Sequence, residues 1–548
     1  MENVEIPTIV VGEDARRGVL GGMRAAARVV GTTMGPNGKT VIVKKSDGKP
    51  ILTKDGVTVC KSVALKHPVE MIGAQLLMDA ASKTNELAGD GTTTATVLAH
   101  DMCEKAMKYI VSNVSVNELR RGIEHATNKL SEELESISVA ADCGNVLSLV
   151  ATISANGEES IGKIVEQAFA SVGKNGIVTV EDAKSAVTSL ELLDGVRFDR
   201  GFMSPYFITH QDKMVSLLED ANVLIVDGKL TSAADIVPAM QISVAAKRSL
   251  LIIASDVEAE ALQTLIINKT RGVANVCAVR APNDKTFLED LATVFGACLF
   301  SQSAGMNLKS VTNEQLGKAK KVVVDSKTCT MVSSGATNQA TQKLLKEISD
   351  ILQDPTLSQE EKEKFQKRTT VLSSKVALIK VGGSTEIELI ERKHRIEDAV
   401  CAARAALERG IIPGGGVSLA RIASKLKSSL KPGDQHYYGS YIVYEAASAP
   451  MKRIVDNADL NGGSIVDAVP TREDDECYDA VGRKWVKWID AGIIDPLKVT
   501  LTALEHASSV AAAFVTLDAV VITDDLSPWR YCRSKRCFKL YCTSLQKE

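Results

Sequence analysis

Aromatic side chains are scarce, 4% of the 548 residues, and no uninterrupted apolar stretch reaches the roughly 20 residues that a helical membrane span requires. The run at 250–254 is cut short by Asp256 and Glu258, so neither a span nor a membrane partner is expected. An excess of one charge is missing too: 65 Lys and Arg face 68 Asp and Glu, a net charge of -3. That balance offers no electrostatic footprint for nucleic acid or another polyanion. The amino terminus carries Glu2 and Glu5 and no basic stretch ahead of an apolar run. Neither a secretory signal nor a mitochondrial presequence is expected there, and a cytoplasmic location is. The 11 cysteines lack the density and spacing of a disulfide scaffold, which fits a reducing compartment. Cys532, Cys537 and Cys542 recur among Arg533, Lys535, Arg536 and Lys539, but a metal site would need a fourth ligand and closer pairs. Residues 528–548 are read as a flexible basic tail.

What remains is aliphatic. Ala, Val, Ile and Leu dominate, which favours closely packed helices, and the length calls for two or three domains. Residues 14–34 have helical spacing, with Ala15, Val19, Leu20, Met23, Ala27 and Val30 on one side, and stop at Gly35-Pro36-Asn37-Gly38. A β-hairpin is predicted from 40–43 and 50–53, and further helices over 72–85, 95–111 and 116–137. The texture changes after about Ala140. Short apolar strands at 223–226, 250–253 and 276–279 alternate with helical stretches at 233–246 and 258–270, a β-α-β-α-β rhythm. The charged run at 350–367 reads as the exposed end of a helix pair. Long helices return from Glu397, so the two ends of the chain are expected to form one discontinuous helical domain around an inserted α/β domain.

Asp90-Gly91-Thr92-Thr93-Thr94 stands just ahead of an apolar helix. Backbone N–H groups and hydroxyls converging at a helix start suit phosphate. A carboxylate beside them is repelled by phosphate but can hold Mg²⁺ that bridges to it, the role assigned to Asp90. The stretches Thr33-Met34-Gly35-Pro36 and Gly414-Gly415-Gly416 offer close backbone approach.

These segments lie within a longer series: TMGPNGKTVIV (33–43), TKDGVTV (53–59), AGDGTTTATVLA (88–99), ATISAN (151–156), GIVTVEDA (176–183), FDRGFMSPYF (198–207), IEDAVCAARAALERGIIPGGGVSL (396–419) and WIDAGIIDPLKVT (488–500). With them the chain resembles the group I chaperonins, the bacterial GroEL-like and mitochondrial family, over all but the last two dozen residues. The resemblance implies a mainly α fold with α/β, in three domains. They are an equatorial ATP-binding domain (1–136 and 409–527), a small intermediate hinge domain (137–193 and 374–408) and an apical polypeptide-binding domain (194–373). It implies that Thr33, Met34, Gly35, Pro36, Lys54, Asp90, Gly91, Thr92, Thr93, Thr94, Gly415, Asp479, Ala480, Val481 and Asp495 surround ATP. Asp495 suits the ribose hydroxyls and Lys54 the phosphate charge. Asp55 and Asp398 match carboxylates near the attacking water, Asp398 being the stronger candidate to activate it. Tyr206, Phe207, Val237, Met240, Leu262, Ile266 and Ile267 match the positions that hold apolar polypeptide segments; on spacing alone such a stripe is more often core.

The expected function is therefore an Mg-ATP-driven molecular chaperone. It would be a homo-oligomeric ring, heptameric by resemblance, single or double, that encloses non-native polypeptides, with or without a co-chaperonin lid. A ring that holds unfolded chains without productive turnover is the alternative. Several positions depart from the family pattern. The tail lacks the Gly-Gly-Met repeat, Asn283-Asp284-Lys285-Thr286 shortens a glycine- and arginine-rich loop, and Ser374-Lys375 and Ala140 replace hinge glycines and a hinge proline. Lys452 and Asn461 stand where an arginine and a glutamate pair between rings. Such drift suits a divergent paralogue or a chaperonin encoded by a bacterial virus, in which case the cytoplasm is the host's.

Overall fold

The computed structural model describes residues 8–44, 50–141, 145–155, 157–173, 176–183, 187–210, 214–282, 284–301, 308–333, 338–352, 368, 372 and 375–522. The tail at 528–548, most of the charged run, Asn283 and Ser374 lie outside them. The chain divides into two compact units, one of residues 1–162 with 394–548 and one of 163–393. The stretches expected to form a separate hinge domain are shared between these units. Among the described residues no helix is long and apolar enough to cross a membrane.

The first unit is a helix stack. Helix Gly12–Gly31 buries Ala15, Val19, Leu20, Met23, Ala26, Ala27 and Val30, the stripe its periodicity predicts. It packs with Pro68–Ala88, Thr92–Val111, Val116–Ser136 and Leu497–Val515 around one aliphatic core. The crossing of the first two is very close. A Cβ on Gly73 would lie 1.9 Å from Val19 O, and one on Gly22 would lie 1.7 Å from Glu70 O, so backbone meets backbone there. The first helix ends three residues before its predicted end. Thr32 and Thr33 turn their hydroxyls onto the Val29 and Val30 carbonyls at 2.7 and 2.8 Å, satisfying the last turn and releasing the chain.

The two ends of the sequence are joined by backbone hydrogen bonds. Thr8–Val11 pairs antiparallel with Ala519–Ile522, and Arg16 fastens the corner by donating to Leu517 O at 2.6 Å and Asp518 Oδ1 at 2.8 Å. Ile411–Pro413 pairs antiparallel with Ile494–Pro496. Val139 and Ile411 exchange N–H···O bonds of 2.9 and 2.8 Å, so Ala140 directly follows a paired residue. Asn461 caps helix Gly462–Ala468, accepting from Ser464 N at 3.2 Å.

The second unit is built on a nine-stranded mixed sheet. Ser216–Leu230, Ser249–Val257 and Val276–Arg280 run parallel, with helices Ala233–Ala245 and Ala259–Thr270 as their crossovers, the rhythm read from the sequence. On the other side of Ser216–Leu230 follow Gly317–Val324, Cys329–Ser333, Ser189–Phe198 and Lys375–Val381, each antiparallel to its neighbour, and then Ile177–Asp182 in parallel.

The tight crossing in the first unit is directly testable. Gly73→Ala is expected to lower the stability of the helical unit by about 1–3 kcal/mol, since the methyl must force two backbones apart. A thermal unfolding midpoint equal to that of the unsubstituted protein would show that the crossing is slack.

Candidate functional site

Helix Thr92–Val111 starts without a side-chain cap. Its N-cap is Gly91, with φ at 82°, so the N–H groups of Thr92, Thr93 and Thr94 have no intrahelical acceptor. Together with the threonine hydroxyls they form a donor-rich helix start carrying the positive end of the dipole. The loop 54–56 lies against it. A Cβ on Gly56 would be 2.3 Å from Thr93 Oγ1 and 2.9 Å from Thr92 Oγ1, so a glycine is needed for the two segments to meet.

Acids gather at this point. Asp90 accepts from Gly91 N at 2.6 Å and from Ser154 Oγ at 2.9 Å. Burial nonetheless holds its pKa above the ordinary carboxylate value, and the charge of Asp55 adds to that. Asp55 caps the short helix Gly56–Lys61: Oδ1 accepts from Val57 N at 3.0 Å, and Oδ2 from Thr58 N at 2.9 Å and Thr58 Oγ1 at 2.6 Å. These bonds immobilise the carboxylate and leave an acceptor site on Oδ1.

Asp495 comes from the strand opposite Ile412. The turn that follows, Gly414–Gly416, is tied back by Gly414 N to Ile493 O at 2.9 Å. Burial pushes the Asp495 carboxyl up to about 6 and the charge of Asp90 contributes, against hydrogen bonds from the Gly416 and Gly415 N–H groups. Asp479 lies on the hairpin of Glu476–Asp479 with Lys484–Lys487 and accepts from Val481 N at 2.9 Å. Burial and the charges of Asp495 and Asp479 together raise the Cys477 thiol, so these two acids share one neighbourhood. Ala480 is buried and Val481 is 63% exposed. Lys54 is half-buried beside Asp55.

Asp398 belongs to helix Glu386–Arg409, which meets the Asp90 loop through Cys401: a Cβ on Gly89 would lie 2.4 Å from Cys401 Cβ. The loop Thr33–Pro36 is fixed by other contacts. Asn457 Nδ2 donates to Gly31 O at 2.9 Å and Met34 O at 2.8 Å, and Gly35 abuts Ile454. Thr33 and Met34 are buried and Pro36 is exposed.

The charge of Asp55 raises Asp90 and that of Asp90 raises Asp495, so negative charge accumulates at this point. Among the described residues no three His, Cys, Asp or Glu form a ready-made metal cage. A hard cation such as Mg²⁺, which keeps several waters and takes one or two carboxylates with phosphate oxygens, fits this donor set.

In the second unit the apolar candidates part company. Tyr206 and Ile267 are 71% and 48% exposed, and Val237 is half-buried. Leu262 and Ile266 are partly buried against the core. Phe207 is wholly enclosed and Met240 is 8% exposed, both within that core. The short turn Pro205–Phe207 points one ring outward and the next inward. Val244 on helix Ala233–Ala245 is also exposed, as is Val273 in the turn after helix Ala259–Thr270, and no motif marks either. Val244 stands seven residues after Val237, a spacing that places both on one face.

A model of the TCP-1/cpn60 chaperonin family matches residues 26–525. Among solved structures, the chaperonin gp146 from the bacteriophage EL 2 (Pseudomonas aeruginosa), crystallised in the presence of ATP-BeFx, resembles this chain at a TM-score of 0.62. The two are 22% identical, and the likeness covers 94% of this chain and 99% of that one, a likeness of fold.

The raised Asp495 carboxyl has a signed consequence. Its folded pKa of about 6 exceeds the unfolded value, so its contribution is favourable below about pH 4 and is lost as pH rises through 6. Asp495→Asn is therefore expected to stabilise the nucleotide-free protein at pH 7.5 by an amount on the order of 2 kcal/mol, read as a raised thermal midpoint, and to change it little near pH 4. A pH-independent difference between the two proteins would contradict this.

Proposed function

The chain belongs to the TCP-1/cpn60 chaperonin family, and from that premise we propose that it is a group I-type, ATP-driven chaperone whose subunits form a ring around non-native polypeptides and promote their folding. The observation that carries the proposal is the convergence of Asp90, Asp55 and Asp495 on an uncapped helix start, with the Asp398 helix packed on the same loop.

In this reading the N–H groups and hydroxyls of Thr92, Thr93 and Thr94 bind phosphate oxygens, and the backbone at Gly91 and Gly415 lets the nucleotide approach. Asp90 holds Mg²⁺, which when bound offsets phosphate charge and polarises the transferred group. Asp495 accepts from the ribose hydroxyls, while Asp479, Ala480 and Val481 border the base and sugar. Lys54 balances the phosphates, and Thr33 to Pro36 form the opposite wall. Asp398 takes the proton of the attacking water or orients it, and Asp55, fixed by its cap bonds, supports the field around it. Such chemistry needs positioning and charge more than covalent catalysis.

Client segments bind to Tyr206, Val237, Leu262, Ile266 and Ile267, joined by Val244 and Val273. Each patch is small, and repetition around a ring lets weak contacts add up. Seven subunits in one ring or two, a lid-like co-chaperonin and a cytoplasmic setting belong to the same proposal.

Steady-state ATPase measurement on the purified protein with magnesium tests it. Asp398→Ala is expected to lower kcat by about 100-fold or more. Equal, negligible rates in both proteins would leave a ring that holds chains without turnover. Ile267→Glu is expected to weaken suppression of aggregation of a chemically unfolded client while ATP hydrolysis stays as in the unsubstituted protein. Undiminished suppression would remove this helix pair from the binding surface.

A further inference from the structure

Helix Glu386–Arg409 carries Asp398, and Cys401 and Ala405 follow at i+3 and i+7 on the same face. Cys401 meets the residue next to Asp90: a Cβ on Gly89 would lie 2.4 Å from Cys401 Cβ and 2.6 Å from its Sγ, so there is no room for a methyl between them. Further along, Ala405 packs with Ala88 and Val499 in a small buried cluster, and a Cβ on Gly91 would lie 2.6 Å from Val499 Cγ1. A continuous seam of small side chains thus joins the helix of Asp398 to the loop of Asp90. Gly89 cannot yield, because its φ of 73° strains any larger residue and its N–H ends helix Pro68–Ala88 by donating to Asn85 O at 2.8 Å.

The charges locate the seam in the same place. Burial raises the Cys401 thiol to about 11 against the opposing Arg404, and the negative charges of Asp398, Glu397 and Asp90 all act on it. So weak an acid is no nucleophile near neutral pH. Its importance lies in its size and location.

We infer that Cys401 is a positioning residue for ATP hydrolysis: its small side chain, set against Gly89, fixes how closely the helix seats and so where Asp398 stands over the Asp90 loop. The inference rests on the ATPase reading given above. A bulkier side chain at 401 lifts the helix, and Asp398, about one turn away, moves with it. A displacement of about 1 Å in a reacting group costs on the order of 100-fold in rate. The phosphate-facing N–H groups belong to a different helix and stay in place, so nucleotide binding is spared.

The test is a size series at one position in the full-length protein: Cys401→Ala, Cys401→Ser, Cys401→Val and Cys401→Leu beside the wild type and Asp398→Ala. Steady-state kcat and KM for Mg-ATP, and thermal midpoints, are read for each. The Ala and Ser variants are expected to keep kcat within about twofold, the Val variant to lose about tenfold and the Leu variant more, with KM changed less than about threefold throughout. The Val variant, only slightly larger than Cys, carries the test if Leu prevents folding. Unreduced kcat in the Val and Leu variants at normal midpoints overturns the inference alone. A kcat that holds while KM rises does the same, since the seam would then serve binding. A wild type with no Asp398-dependent turnover overturns the parent reading, and this inference falls with it.

Discussion

Two half-buried carboxylates, Asp90 and Asp495, share one neighbourhood in which the charge of Asp55 raises the proton affinity of Asp90 and that of Asp90 raises Asp495. That is the constraint on which the arrangement of the helical unit depends. Buried like charges are costly unless hydrogen-bonded or paired with a cation. The fold supplies part of the compensation from its backbone: Gly91 N–H and the Ser154 hydroxyl to Asp90, and the Gly415 and Gly416 N–H groups to Asp495. The positive end of the Thr92–Val111 helix offsets part of the remaining negative charge.

Close approach follows from that constraint. Short loops can surround the helix start only where side chains are missing, which explains why Gly56 lies on Thr92 and Thr93 and Gly89 on Cys401. The same device sets the scaffold behind the site, where Gly22 and Gly73 bring two helix backbones into contact. Interiors packed at crystal-like density transmit small displacements instead of absorbing them. A change of one methyl in these seams therefore shifts the segments they join.

The second unit solves a different problem. Its mixed sheet buries a continuous aliphatic core and places two crossover helices at the surface, where part of each stripe faces inward and part outward. Leu262 and Ile266 anchor one helix while Ile267 and Val244 are left exposed. An apolar surface held on a rigid sheet is suited to contacts that are individually weak and geometrically repeated.

The helical periodicity of 14–34, the β-α-β-α-β rhythm of 223–279 and the glycine-threonine helix start were legible in the chain itself, because they depend on the spacing of near neighbours. Of the carboxylates of the candidate site, Asp90 was legible from the chemistry of its loop, whereas Asp55, Asp398, Asp479 and Asp495 came from the family resemblance. Tertiary structure alone decided the rest. Whether Phe207 and Met240 face solvent or core depends on which sheet lies beneath them, and helical spacing does not distinguish an inward face from an outward one. The end of the first helix at Gly31 depended on two hydroxyls folding back, and the role of Cys401 on a loop more than 300 positions away in the chain. Burial and long-range contact are properties of the packed molecule, and no window along the sequence contains them.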